Sequence, residues 1–379
     1  MCAEARRSLT EYRRDLGFHL ARRLNAPLVK PDWVSLMATL RCNLTCTMCR
    51  TCYDQEQELD TDEVRQLIDQ VADWGVPIFN LLGGEPFLRR DILPILTHAH
   101  YRGLITTVTT NGTLLDDRAI EALAPLFRIH LNVSLDGLEQ THDGIRGAGV
   151  FAKATRAIRQ LAEADAAEGA RRQERGEAWW PREITVNALV HRGDADELIP
   201  LVELARELGA TGIQLLALFD YGVDVRESGL WFGDDDLPLL DRTVDRILRW
   251  FEDGPGDFRL VNPPGDLANF KRYYRGELQP LDAPCYNGFK ELYINADGAG
   301  LMCDGKLEFL SDSFGNVRDE PIRRMWASPR ARRMRRKVLT CTHACTQDCY
   351  RRRESDSLAV IAAGAAAEAA RSFRRRGRP

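Results

Sequence analysis

Three cysteines with short and unequal spacing carry the strongest chemical signal in the sequence. Cys42, Cys46 and Cys49 form the pattern C-x3-C-x2-C directly after the apolar run 34–40. Thiolates at this spacing can bind three irons of a [4Fe-4S] cluster and leave the fourth iron open to a further ligand. Structural zinc sites use paired C-x2-C motifs, and electron-carrying ferredoxins use four-cysteine runs. The pattern therefore predicts an iron–sulfur site that binds and reduces a ligand, with a zinc loop as the alternative.

A glycine pair follows the next predicted strand. The tetrapeptide Gly83-Gly84-Glu85-Pro86 comes directly after the apolar segment Ile78–Leu82. Two glycines allow the backbone to approach a ligand closely, and the neighbouring carboxylate can accept a hydrogen bond from an ammonium group. We expect a ligand-binding turn at this position, with a plain turn as the alternative.

Polar residues also follow the third and fourth predicted strands. Asn111 lies in the turn after the third strand, and Ser134 and Asp136 lie at the end of the fourth. Arg146 comes ten residues later, and its planar guanidinium suits bidentate binding of a carboxylate. We expect these side chains to contribute to one binding site. A structural ion pair is the alternative for Arg146.

The chain between residues 33 and 218 alternates β-rich and helical segments. The predicted strands are Val34–Leu40, Ile78–Leu82, Ile105–Thr110, Ile129–Leu135, Ile184–Val190 and Gly212–Leu216. The predicted helices are Thr61–Trp74, Asp91–Tyr101, Asp116–Leu123, Val150–Glu163 and Asp196–Leu208. Such β–α repeats favour a parallel sheet covered by helices. Six strands are too few for a closed eight-stranded barrel. We therefore expect an α/β fold, a partial (β/α)6 TIM-like barrel with ligands at the C-terminal ends of its strands.

A second group of cysteines lies near the C-terminus, at Cys285, Cys303, Cys341, Cys345 and Cys349. The first two flank a predicted β-hairpin, and the last three form C-x3-C-x3-C. On one continuous helix the last three would span about 12 Å, so binding to a single metal centre requires the segment to bend. The group predicts a second metal site, with zinc as the alternative to iron.

Composition and charge are ordinary for a soluble globular protein. The chain has 379 residues, of which 44% are hydrophobic and 28% charged, and its net charge is −4. These values give no reason to expect nucleic-acid binding. No apolar segment is long enough for a membrane span or a secretory signal, so we expect a cytoplasmic protein. Ten cysteines in a reducing compartment favour metal or redox chemistry over disulfides.

The first cysteine group and the glycine pair together resemble the radical S-adenosylmethionine (SAM) enzymes. In that superfamily the cysteine loop binds a [4Fe-4S] cluster whose open iron chelates SAM, and the Gly-Gly-Glu-Pro motif binds the amino group of SAM. The resemblance implies that Met48 packs near the adenine. It also implies SAM contacts for Asn111, Ser134, Asp136, Arg146 and, more weakly, Asn187, for which a solvent-facing strand position is the alternative.

The C-terminal cysteines resemble the twitch and SPASM domains of the same superfamily, in which a hairpin and a following helix enclose auxiliary clusters. Five cysteines favour one auxiliary [4Fe-4S] cluster with four ligands, and the sequence leaves open which four bind it. Cys52 lies three residues after Cys49. It is a possible hydrogen-atom donor or an incidental buried thiol.

The expected domain boundaries follow from the same resemblance. They are 1–32 for an N-terminal helical extension, 33–219 for the barrel core, 220–284 for a bridging region, 285–354 for the auxiliary-cluster domain with a β-hairpin plus helix, and 355–379 for an Ala/Arg-rich helix and tail.

The resemblance implies an enzyme that cleaves SAM reductively and uses the 5′-deoxyadenosyl radical to remove a hydrogen atom from its substrate. An external one-electron reductant such as flavodoxin or ferredoxin is the expected partner. A scaffold that binds SAM only as a signal is the non-enzymatic alternative.

Two substrate classes remain open. The first is a small polar natural product, such as a sugar, aminocyclitol or oligosaccharide, that is dehydrogenated or epimerised at a carbinol carbon. The second is a peptide or protein side chain. We expect the small molecule, because a single auxiliary cluster and a C-x17-C hairpin resemble that group. Only about 32 residues precede the first strand, too few for a leader-recognition domain.

Overall fold

The computed structural model describes residues 8–49, 57–219, 224–254, 256–279, 285–303, 312–343, 345, 358, 361–366 and 368. Two cysteines singled out above, Cys52 and Cys349, lie outside these residues. Their predicted roles therefore remain predictions.

A nine-stranded sheet forms the centre of the described chain. Its strands are β1 (Trp33–Thr39), β2 (Ile78–Gly83), β3 (Ile105–Thr110), β4 (Ile129–Ser134), β5 (Ile184–Val190), β6 (Gly212–Ala217), β7 (Arg259–Leu260), β8 (Glu291–Ile294) and β9 (Gly300–Leu301). The spatial order is β7-β6-β5-β4-β3-β2-β1-β8-β9. Strands β1 to β8 run parallel, and β9 is antiparallel to β8. The predicted α/β fold is confirmed, and each of the six predicted strands begins and ends within one residue of the observed one.

Helices cover the sheet between successive strands. They are α1 (Leu9–Leu24), α2 (Thr61–Trp74), α3 (Ile92–Tyr101), α4 (Asp117–Leu123), α5 (Glu139–Arg146), α6 (Val150–Glu174), α7 (Leu198–Glu207), α8 (Leu237–Glu252), α9 (Pro264–Tyr274), α10 (Ile322–Ala327) and α11 (Pro329–Leu339). Among the described residues, none of the helices combines the length and the apolar character that crossing a bilayer requires.

Helix α2 shows why these segments fold as the pattern predicts. Asp60 accepts a hydrogen bond from the backbone of Glu63, whose side chain bonds back to Asp60, and Gly75 ends the helix in the left-handed conformation. This is a capping box followed by a glycine C-cap. The buried residues recur at helical spacing and face the sheet: Val64, Leu67, Ile68 and Val71.

Two helices add to the assigned segments. Helix α6 continues to Glu174, eleven residues beyond Glu163, as the charged Arg/Glu-rich stretch after Glu163 predicts. Helix α9 begins at Pro264 and is absent from the predicted helices, because the sequence Pro263-Pro264-Gly265 predicts a turn. Proline is compatible with the first helical turn, because the N–H that it lacks has no partner within the helix there.

The C-terminal hairpin is continuous with the barrel sheet. Strand β8 pairs with β1 in parallel, with Trp33 opposite Glu291 and Ser35 opposite Tyr293. The segment after the cysteine loop also bonds to this region, because the N–H of Leu59 donates to the Ala296 carbonyl at 2.7 Å. The strand that follows Cys285 therefore forms one wall of the barrel, next to the strand that leads into the cysteine loop.

A buried arginine fixes the start of β5. Arg182 is 1% exposed and pairs through Nε with Asp165 of α6 at 3.0 Å. Its Nη2 donates to the carbonyls of Leu123 and Ala124 at the end of α4. The Arg182 side chain thus joins α4, α6 and the segment that leads into β5. Strand β5 carries Asn187.

We expect Arg182→Met to lower the free energy of unfolding by about 3 kcal/mol, because it leaves the carboxylate of Asp165 partly buried and without its cation. Urea unfolding of the two proteins measures the change. Arg171→Met is the control, since Arg171 is 56% exposed in its ion pair with Glu168 and should lose less than about 1 kcal/mol. Equal losses in the two variants would contradict this role.

Candidate active site

The cysteine loop follows β1 and is held by backbone hydrogen bonds. The N–H of Cys49 donates to the Cys46 carbonyl at 3.1 Å, and the N–H of Thr47 donates to the Ile145 carbonyl of α5 at 3.1 Å. Cys42, Cys46 and Cys49 line one cavity of about 420 Å³. The structure therefore brings the three predicted ligands to the same space.

The environment of the loop fits a bound cluster. Burial raises the pKa of the Cys46 thiol to about 11, and the neighbouring groups of Cys49, Asp136 and Cys42 add to this rise. A thiolate at this position is stable only beside a positive charge. A metal ion that coordinates the sulfur provides that charge. The iron of a [4Fe-4S] cluster would provide that charge at the three thiols.

The glycine pair lies directly against the cysteine loop. The N–H of Gly84 donates to the Thr39 carbonyl at 2.9 Å, and the N–H of Glu85 donates to the Arg41 carbonyl at 2.8 Å. A Cβ at Gly84 would overlap the Arg41 carbonyl, and one at Gly83, where φ is +142°, would overlap the Thr39 carbonyl. Only glycine permits this approach at both positions.

Glu85 joins the ends of two strands. Its carboxylate is fully buried and accepts hydrogen bonds from Thr110 Oγ1 at 2.8 Å and from the N–H groups of Asn111 and Phe87. Burial raises the pKa of this carboxyl. Both Gly83 and Gly84 line the cavity, whereas Glu85 and Pro86 are outside its lining. That this motif binds an amino group stays a prediction. The part of the motif that the cavity exposes to such a group is the backbone of Gly83 and Gly84.

Asp136 and Arg146 form a buried ion pair at the cavity wall. Arg146 Nε lies 2.6 Å from Asp136 Oδ2, and the other carboxylate oxygen accepts from the N–H of Leu189 at 3.0 Å. Burial alone would raise the pKa of the Asp136 carboxyl, but the Arg146 guanidinium outweighs it and holds that pKa below its usual value. Burial lowers the pKa of Arg146, but Asp136 and the cysteines Cys46 and Cys49, which line the same cavity, raise it.

Two histidines hold the backbone of Asp136. Its N–H donates to His142 Nδ1 at 2.9 Å, and its carbonyl bonds with His191 Nε2 at 3.0 Å. Burial lowers the pKa of His142 to about 4. The imidazole is therefore neutral near pH 7, as an acceptor of this hydrogen bond requires.

The remaining predicted SAM contacts also face the cavity. Asn111 donates through Nδ2 to Asn43 Oδ1 at 3.0 Å, and this nitrogen lies 4.0 Å from Cys42 Sγ. Ser134 and Asn187 are paired in register across β4 and β5. Asn187 Oδ1 is buried and has no hydrogen-bond partner among the described residues, and Met48 lines the same space. The predicted residues other than Glu85 and Pro86 thus share one cavity.

The inner wall of the barrel contains functional candidates that the motifs did not reveal. Side chains from successive strands line the cavity, including Asn80, Asn132, Gln214, Glu291 and Tyr293. Asn80 donates to Ser35 Oγ at 3.1 Å. Polar residues at alternate positions within apolar strands are the signal that could have identified this wall.

Four of the five C-terminal cysteines, Cys285, Cys303, Cys341 and Cys345, lie among the described residues and are partly buried. Burial raises the pKa of Cys285 to about 12, and the Cys345 and Cys341 thiols add to the rise. Cys303 follows β9 and is packed against the core. None of the four lines the cavity, and which of them bind the auxiliary cluster stays a prediction.

Two family models match the chain. The radical SAM superfamily model matches residues 36–171. The model of SPASM, an iron–sulfur cluster-binding domain, matches residues 285–350.

Curated relatives of several activities are similar over most of the chain. An AdoMet-dependent heme synthase of Methanosarcina barkeri is 29% identical, over 78% of this chain and 82% of its own. A GTP 3′,8-cyclase of Synechococcus sp. is 31% identical, over 75% and 82%. A PqqA peptide cyclase of Granulibacter bethesdensis is 25% identical, over 76% and 72%.

Solved structures share the fold at low sequence identity. SuiB of Streptococcus suis bound to the precursor peptide SuiA gives a TM-score of 0.62 at 17% identity, covering 84% of this chain and 69% of SuiB. The anSMEcpe protein with AdoMet and the Cp18Cys peptide gives 0.59 at 17% identity, covering 82% and 84%.

The expectation of a small polar natural product as substrate is wrong. The relatives act in heme synthesis, GTP cyclisation and peptide cyclisation, and the solved structures of SuiB and anSMEcpe described above hold peptides. The expectation rested on the number and spacing of the C-terminal cysteines. The described auxiliary cysteines lie outside the cavity lining. Their number and spacing therefore do not indicate which substrate the cavity binds.

We expect Gly84→Ala to reduce SAM cleavage about a hundredfold, because its Cβ must push the cysteine loop away from β2 and a 1 Å displacement can cost this much. The measurement is 5′-deoxyadenosine formation together with iron content. Gly144→Ala in α5 is the matched control, since its Cβ would meet no atom within 4 Å. Wild-type cleavage in Gly84→Ala would show that the close approach is dispensable.

Proposed function

Because the chain belongs to the radical SAM enzymes that carry a C-terminal SPASM domain, we propose that it modifies a residue of a peptide or protein substrate. Members of this group use a SAM-binding [4Fe-4S] cluster, SAM and an auxiliary cluster. When bound, these cofactors supply a radical that removes a hydrogen atom from an unactivated carbon. The chain must hold SAM, present the substrate carbon and keep water away.

The residues around the cysteine loop have defined tasks in this proposal. Met48 would pack beside SAM, and the backbone at Gly83 and Gly84 would hold its amino group. Arg146 is oriented by Asp136 and would offer its guanidinium to the carboxylate of SAM. Asn187, whose buried oxygen has no partner among the described residues, would accept a hydrogen bond from a ribose hydroxyl.

The amide and hydroxyl side chains on the inner wall are the observation that carries the choice of a peptide. Ser35, Asn80, Asn132 and Gln214 present hydroxyl and amide groups to the cavity. Amide side chains both donate and accept, and so they match the N–H and C=O groups of a peptide backbone. An extended peptide segment could bond to this wall without burying a charge.

The same wall disfavours the anionic substrates of two relatives. A tetrapyrrole with carboxylate side chains or a nucleoside triphosphate carries several negative charges, which need cationic partners when buried. Among the described residues that line the cavity, Arg146 is the one cation, and it is paired with Asp136. Glu291 adds negative charge to the wall.

Deuterium transfer tests the substrate class. Reconstituted enzyme, SAM and dithionite are incubated with a peptide digest of cells grown in deuterated medium. We expect deuterium in the 5′-deoxyadenosine, because the hydrogen atom removed from a peptide carbon ends on its 5′ carbon. A deuterium-free product, with stimulation by Fe-coproporphyrin III or GTP instead, would contradict the proposal.

Gln214→Leu tests the inner wall in the same assay. We expect about tenfold less deuterium transfer, since one hydrogen bond contributes about 0.5–1.5 kcal/mol, while peptide-independent SAM cleavage is unchanged. Thr106→Val is the matched control, because Thr106 is a buried polar residue of β3 outside the cavity lining. Equal transfer in Gln214→Leu and wild type would remove the wall from substrate binding.

A further inference from the structure

Helix α11 carries an unusual concentration of positive charge. Its sequence, PRARRMRRKVL, has six cationic residues in eleven and no acidic residue. The buried positions, Ala331, Met334, Arg335 and Val338, form the face packed against the protein. The opposite face exposes Arg332, Arg333, Arg336 and Lys337, which we call the α11 basic face.

The α11 basic face is not explained by the stability of the helix. Arg332 and Arg336, like Arg333 and Lys337, are four residues apart, a spacing at which like charges repel. A cation in the first turn also opposes the helix dipole, whereas Arg336 and Lys337 lie in the last turn, where positive charge complements it. Among the described residues, Lys337 forms an ion pair with Asp312. No described carboxylate forms an ion pair with Arg332, Arg333 or Arg336. An approaching anionic surface would relieve this repulsion.

Arg335 is a buried cation of α11 and differs in its contacts from the exposed cations of the same helix. Its guanidinium donates to the carbonyls of Gly288 and Trp326 at 2.5 and 2.8 Å and lies 4.2 Å from the Trp326 ring centroid. This cation joins α11 to the segment after Cys285 and therefore has a structural role. Among the described residues, the four cations of the α11 basic face have no such hydrogen bonds to the barrel.

The α11 basic face borders the auxiliary site. The helix ends two residues before Cys341, whose N–H donates to the Val338 carbonyl at 3.3 Å. At its other side, Asn25 at the end of α1 donates to the Arg332 carbonyl at 3.1 Å. Arg22 of α1 donates to the carbonyl of Cys285 at 2.9 Å. Helix α11 and the end of α1 thus lie next to Cys341 and Cys285.

We propose that the α11 basic face is the docking surface for an acidic one-electron carrier protein that exchanges electrons with the auxiliary cluster. The chain as a whole has a net charge of −4, so a local positive face is needed to attract such a partner. Complementary charge accelerates and orients association of this kind.

The chemistry of the superfamily requires such a partner. Each reductive cleavage of SAM consumes one electron, and the carrier supplies it by being oxidised by one electron. The C-terminal cysteines would hold the auxiliary cluster beside the α11 basic face, and Cys42, Cys46 and Cys49 would hold the SAM-binding cluster. Bound there, the two clusters would relay the electron that breaks one carbon–sulfur bond of SAM. None of the four residues of the α11 basic face lines the cavity, which favours a carrier over the substrate peptide as the docked molecule.

Binding of a flavodoxin and of a [2Fe-2S] ferredoxin to the anaerobically reconstituted holoenzyme tests the proposal. Calorimetric titration at low and high ionic strength compares wild type with the triple variant Arg332→Glu, Arg333→Glu, Arg336→Glu. We expect wild type to bind a carrier with strong salt dependence. In the variant we expect affinity at low salt to fall on the order of tenfold or more and the salt dependence to diminish.

In the matched control, three exposed cations of α6, Lys153, Arg156 and Arg159, are replaced by glutamate. It changes the net charge equally, and we expect it to retain most of the carrier binding. Dithionite-driven SAM cleavage and the melting temperature should stay at wild-type values in both variants. If the glutamate variant does not fold, the glutamine variant at the same three positions should weaken binding to a smaller extent.

Three results would overturn the proposal. The first is wild-type carrier affinity in the folded α11 variant. The second is an equal loss in the α6 control, which would make the effect one of net charge. The third is unchanged carrier binding together with lost binding of the peptide substrate, which would assign the α11 basic face to the peptide. Since dithionite replaces the carrier in the deuterium assay, failure here leaves the proposed function standing.

Discussion

The close backbone contact between the cysteine loop and the glycine pair is the constraint on which the site depends. Two successive N–H groups, from Gly84 and Glu85, bond to carbonyls at the start of the loop, and a side chain at either glycine would overlap the loop backbone. This contact fixes the distance between the place for the cluster and the end of β2. Glu85 extends it, because its buried carboxylate joins β2 to the end of β3.

The wall of the cavity and the surface of α11 differ in charge. Asp136, held by two histidines, orients the single cation of the described cavity wall. The rest of the wall is uncharged apart from Glu291, and the large positive surface lies on α11, outside the cavity lining. The interior therefore suits SAM and a neutral chain segment, while the exterior near the second site suits an acidic protein.

Much of the fold and site was predictable because the relevant signals are local. Apolar β-rich runs located β1 to β6, and the motifs at their ends named residues that the structure places around one cavity. The pairing of β8 with β1 was not predictable, since nothing in the 251 residues between β1 and β8 encodes their register locally. Helix α9 was missed because prolines were taken to mark turns. The substrate class was mispredicted because the cysteine count does not describe the inner wall, where Asn132 and Gln214 lie.

The most direct test of the central claim is the iron and zinc content of anaerobically reconstituted protein. Wild type is compared with the triple variant Cys42→Ala, Cys46→Ala, Cys49→Ala. Two [4Fe-4S] clusters predict about eight irons per chain in wild type and about four in the variant, which should have lost SAM cleavage. About four irons falling to none, with one zinc retained in both proteins, would contradict an auxiliary iron–sulfur cluster and make the C-terminal cysteines a structural zinc site.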